Sequence, residues 1–230
     1  MTEAIPSVVL RTQRGLEELY RVETQLDVTD FLVDEAGRAE AGPARAPREQ
    51  LLIRQDGADE LGIGLFLDQA VMENLERNDP AQDLGAHNFS DFCLLVEGVS
   101  HFVYFTLRAR ADRPVSALEL ELQAEVDKFA CCVLLSANRP GGPEGAAARG
   151  RTGAAGWARG LFEDVRFADD LDPEELDRYR TANRDARRYA AALSRQFIDS
   201  DRLADMLPEL RHFYRMPLAQ KRAHIARADG

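Results

Sequence analysis

Apolar residues along this chain change their period, and the change separates a short β segment from a mostly helical remainder. Over residues 8–25, Leu10, Leu16, Leu19 and Tyr20 share one helical face, interrupted at Gly15. Asp30-Phe-Leu-Val-Asp34 reads as a short strand, and 36–48, rich in Ala and Gly with two prolines, reads as a loop. Leu51-Leu-Ile-Arg54 and Leu61-Gly-Ile-Gly-Leu-Phe-Leu67 flank Asp56-Gly57, a dipeptide suited to the positive φ of a tight turn. About three strands make a small sheet that needs helices over one face, and 69–77 offers one. Residues 78–88 form a polar connection.

From Phe89 the period is helical. Positions 92, 95, 96, 99, 102, 103 and 107 are apolar, which predicts a helix over 89–110. Pro114 sits where a second helix, 115–137, would begin, so a central helical hairpin is expected. Residues 138–158 are low in complexity, with Gly, Ala and Pro dominant, and read as a flexible linker that Trp157 anchors at its far end. Asp172-Pro-Glu-Glu175 is a helix start signal, an N-cap followed by a first-turn proline and acids. Its helix should reach about 198, with shorter ones over 200–206, 208–214 and 217–227. The fold class expected is therefore α+β and mostly helical, with a small antiparallel sheet in the N-terminal third. The expected organisation is a 1–137 core, a 138–158 linker and an arginine-rich helical region, 159–230, packing on the core.

Composition narrows the functional classes. The 230 residues are 45% hydrophobic and 30% charged, ordinary for a globular protein. A net charge of −11 makes nucleic-acid binding an unfavoured expectation. The charge is uneven: 177–230 carries 12 Lys and Arg against 7 Asp and Glu, a basic face suited to docking on the acidic remainder. Basic residues are nearly all arginine, the habit of a GC-rich bacterial genome. The first residues lack a signal-peptide pattern. No uninterrupted apolar run approaches the ~20 residues that span a bilayer. A cytoplasmic, non-membrane protein is the expectation. Cys93, Cys131 and Cys132 have no disulfide or zinc spacing and read as free thiols.

Candidate chemistry concentrates in the most apolar run, Phe92–Leu107, which holds Glu97 and His101 four residues apart. A charge there is costly unless paired or bound. On a helical wheel Ser90, Cys93, Glu97, His101, Tyr104 and Arg108 form one narrow stripe. The next helix has two polar stripes: Glu121, Glu125, Lys128 and Cys132 on one side, Glu119, Gln123 and Asp127 on the other. One stripe would lie in solvent and the other against a neighbour. If the two helices pair, Glu97, His101, Glu121 and Glu125 converge, three carboxylates and an imidazole suited to a divalent metal. Glu97 and His101 would then act as ligand, base or proton carrier in a metal-dependent enzyme, in the first instance a hydrolase.

That reading competes with two others. Glu97 can pair internally with Arg108, or with an arginine from 178–195, or the stripe can contact a partner. The spacing of Glu97 and His101 departs from the Glu-x-x-His of carboxylate-bridged metal bundles. P-loop, dinucleotide-binding and nucleophile-elbow motifs are missing. Gly62 and Gly64 mark a bulge or close packing. His87 reads as exposed loop, and His212 and His224 have no spacing that pairs them. The balance favours a binding or regulatory protein-interaction module, with a metal-dependent hydrolase as the alternative. Oligomeric state is left open.

Overall fold

The structure is a computed structural model that describes residues 7–41, 47–55, 61–137, 153–165, 167 and 170–228. It is α+β and mostly helical, with a small sheet early in the chain, two long central helices in succession and a helical C-terminus. The chain divides into two compact units, one of Met1–Glu18 with Val22–Ala111, the other of Leu19–Arg21 with Asp112–Gly230. The second long helix thus groups with the C-terminal helices, although a boundary after 137 was expected.

The first unit opens with α1 (Val8–Tyr20), five residues shorter at its end than the expected 25, because Arg21 turns to positive φ. Residues 28–31 form a 3-10 turn rather than strand, since the Asp27 side chain accepts from the Thr29 amide at 2.9 Å. Strand β1 is left with only Leu32–Val33. A helix, α2 (Glu35–Ala41), replaces the expected loop. Its cap is Asp34, whose Oδ1 accepts from the Gly37 amide at 2.9 Å, and Arg38 pairs with Glu35 while lying over the Phe66 ring.

Strands β2 (Glu49–Gln55) and β3 (Leu61–Leu67) pair antiparallel, Leu52 facing Gly64 and Ile53 facing Ile63. The Asp56-Gly57 turn lies outside the described residues. β1 pairs with β3 in parallel, so the sheet is mixed rather than wholly antiparallel, in the order β1-β3-β2. The register runs through Gly62 and Gly64 without interruption, so the glycines mark close packing and not a bulge. A Cβ on Gly64 would come to 3.0 Å from Val33 Cγ1.

Helices α3 (Gln69–Arg77) and α4 (Phe89–Arg110) occupy the expected residues. Buried Asn88 braces the loop between them, donating to the carbonyls of Asn78 and Asp83 and accepting from the Gly85 amide. His87 is exposed, as expected. By length and composition α4 alone among the described residues could cross a membrane; 67% of the qualifying window is buried, as in a core helix. The sheet packs against α4 at Gly98, where an added Cβ would meet Glu49 Cγ at 2.9 Å and Leu65 Cδ1 at 3.0 Å.

In the second unit, α5 (Ala117–Ala137) begins two residues later than expected. Ser116 caps it, accepting from the Glu119 amide at 3.2 Å, so Pro114 precedes the helix instead of occupying its first turn. Residues 138–152 of the expected linker lie outside the described residues, but its end is helical: α6 spans 153–162. Ala154, Leu161 and Phe162 are buried, and Trp157 Nε1 donates to Ser136 Oγ at 2.8 Å, which is the anchoring expected of it. Helix α7 (Pro173–Leu193) starts with a full capping box between Asp172 and Glu175, then passes into a π turn, Ser194–Ile198. Its small residues Ala182, Ala186 and Ala190 are buried and α7 packs closely on α5. The two helices expected over 200–206 and 208–214 are one, α8 (Leu203–Arg215), with Pro208 inside it. Proline forfeits a single backbone bond there, while Met206, Leu210, Phe213 and Tyr214 bury the helix's face. α9 (Leu218–Ala228) closes the chain. The three cysteines are free.

Candidate functional site

Among the described residues, three places gather chemistry-bearing side chains. The first is the Glu97/His101 stripe on α4. His101 is 7% exposed, and the ion pair the structure shows for it is with Glu49, its Nδ1 lying 3.5 Å from Glu49 Oε1. Glu49 stands at the head of β2 and reaches α4 because Gly98, three residues before His101, leaves room for its side chain. Glu49 lies two residues before the strand start expected at Leu51, outside the candidate residues. The alternation of 49 with Leu51 and Ile53 on one strand face was the available signal. Further along the stripe, Arg108 donates to the Tyr104 hydroxyl and its guanidinium lies 4.8 Å from that ring. Glu97 is half-buried.

Of the four candidate ligands, Glu97 and His101 belong to the first unit and Glu121 and Glu125 to the second. Glu125 pairs with Lys128 at 2.9 Å, one helical turn on. Among the described residues, no group of three or more His, Cys, Asp and Glu side chains is placed to hold a metal ion.

The second place is the other stripe of α5, and here the expectation of a solvated face is corrected. Both stripes are withdrawn from water: Glu121 and Lys128 on one side are buried, as are Glu119, Gln123 and Asp127 on the other. Gln123 is the hinge of a buried network. Its amide nitrogen donates to Asp127 at 2.7 Å and its carbonyl accepts from Lys221 of α9, which is fully buried with its ammonium 5.1 Å over the Phe213 ring. Tyr20 donates to Asp127 and stacks on Tyr214. Burial, reinforced by the Asp127 charge, pushes the Tyr20 phenol well above its ordinary value, so it remains a donor. This network works as a polar pin joining α5 and α9.

The third place was invisible to spacing. Residues 189, 209 and 224 are remote in sequence, yet the Glu209 carboxylate accepts from the Tyr189 hydroxyl at 2.9 Å and meets His224 Nε2 at 2.6 Å, both on Oε1. His212 and His224, given no pairing in the sequence reading, have ring centroids 6.0 Å apart. Burial first, then the Glu209 charge and hydrogen bond, drives the Tyr189 phenol far up its scale. Tyr189, Glu209 and His224 line one wall of a pocket of about 220 Å³.

The surface carries one further feature. β2 is an edge of the sheet, and Ile53 and Leu61, on the same face of adjacent strands, are 45% and 44% exposed. No protein-family model, curated protein or solved structure matches this chain.

Proposed function

We propose that this chain is a binding or regulatory module that takes a partner protein on the open edge of its β2–β3 pair. The observation that carries the proposal is the exposure of Ile53 and Leu61 beside an edge strand. An edge offers a row of main-chain donors and acceptors, and flanking apolar side chains supply the affinity. Contiguous exposed apolar residues are the kind of surface that marks an interaction site. The acidic composition and three free cysteines support a cytoplasmic setting. The alternative, a metal-dependent hydrolase built on Glu97, His101, Glu121 and Glu125, has no specific observation in its favour.

The test is site-specific photocross-linking in cells of the native host. A photoreactive side chain at position 53 should trap one dominant protein adduct, and Leu61→Asp should abolish it. The same group at exposed Glu174 of α7 serves as control. Equal adduct formation at 53 and 174 would sink the proposal.

A further inference from the structure

The pocket in the second unit has a construction that the sheet edge does not explain. Its lining includes Tyr189 and Leu193 of α7, Gln196 of the π turn, Glu209 of α8, and His224 and Arg227 of α9. Glu209 Oε1 already accepts from the Tyr189 hydroxyl and meets His224 Nε2 within the wall. The capacity left over is of the opposite kind. The Arg227 guanidinium, the Gln196 side-chain amide and His224 Nδ1 make no hydrogen bond among the described residues, and all three residues line the cavity.

The backbone supplies a second, independent observation. Helix α7 does not simply end here; it widens into a π turn, with the Asp199 amide bonded to the Ser194 carbonyl at 2.8 Å. π turns weaken a helix locally and concentrate where a site needs an opened wall. This one places Gln196 on the pocket, and Arg195 donates to the Ala228 carbonyl at 3.2 Å, tying the end of α9 to the turn.

We propose that this pocket binds a small oxyanion, a phosphate or carboxylate group, through Arg227 and Gln196, with His224 held in place by Glu209. A guanidinium beside neutral and titratable N–H donors is the set that recognises such a group. At about 220 Å³ the cavity falls below the roughly 300–1,000 Å³ of drug-sized sites, which limits the ligand to a small metabolite or a single anionic group.

The test is calorimetric titration of the full chain with sodium phosphate and, separately, sodium acetate, each against sodium chloride at matched ionic strength. Arg227→Gln and Arg180→Gln are run in parallel. Both arginines are exposed, so neither replacement threatens the fold, and Arg180 does not line the pocket. Saturable binding of either anion, weakened about tenfold in Arg227→Gln and unchanged in Arg180→Gln, is the expected result. The arm that binds identifies the headgroup. Absence of saturable binding in both arms, or equal loss in the two variants, would overturn the proposal.

Discussion

Gly98→Ala and Gly15→Ala are the same substitution in helices of the same unit, and the structure requires them to differ in sign. In an open helical position alanine is worth about 1 kcal/mol over glycine. Gly15 of α1 is such a position, because a Cβ added there meets nothing within 4 Å. Gly98 is not. Its Cβ would stand 2.9 Å from Glu49 Cγ, 3.1 Å from Glu49 Oε1 and 3.0 Å from Leu65 Cδ1. Leu65 is fully buried and the Glu49 side chain is 9% exposed, so neither can swing aside cheaply. Overpacking of this kind costs about 1–3 kcal/mol, against a propensity gain of about 1 kcal/mol. The balance is a net loss of about 1 kcal/mol at Gly98 and a gain of about 1 kcal/mol at Gly15. Urea denaturation followed by far-UV circular dichroism reads both against wild type. Should Gly98→Ala stabilise as much as Gly15→Ala, β2 and β3 would not rest on α4 at this point, and the account of how Glu49 reaches His101 would fall with it.

Two other outcomes follow from the side chains. Lys221→Met keeps the apolar stem but strands the Gln123 carbonyl in the buried network, and should lower stability by about 2 kcal/mol, read as a fall in Tm of about 4–8 °C; an unchanged Tm would mean the network does not pin α9. Asp27, held below the ordinary carboxylate range by the Thr29 hydroxyl and amide, should contribute stability above its unfolded pKa of about 3.9 and lose it as the pH falls through the lower folded value. The stability gap between wild type and Asp27→Ala should therefore be constant from pH 7 to about 5 and close in acid; a gap that persists or widens in acid would contradict this.

Local chemistry determined a large share of what was read from the chain. The 3.6-residue apolar spacing located α4 to the residue, and Asp172-Pro-Glu-Glu175 located the start of α7, because these signals are made by neighbours in sequence. The misses have equally physical causes. α2 was hidden by its Ala, Gly and charged residues, although Asp34 as cap and the Glu35–Arg38 pair were there to be seen. The start of α6 was absorbed into a glycine-rich stretch despite the spacing of Ala154, Trp157 and Leu161. The helices expected over 200–206 and 208–214 are one, because the cost of Pro208 is local whereas the burial that outweighs it is tertiary.

The site divides in the same way. That Glu97 and His101 stand in an apolar run, and that α5 has two polar stripes, was determined by sequence alone through the cost of burying charge. Only the tertiary structure decided what those groups meet. It placed Glu49 beside His101, because a glycine on α4 admits a strand, and it buried Lys221 against Gln123, because α9 returns to α5. Tyr189, Glu209 and His224 share one carboxylate oxygen only where α7, α8 and α9 come together. No periodicity records that meeting. Partners this remote in sequence are chosen by how helices pack, and that choice belongs to the whole chain rather than to any segment of it.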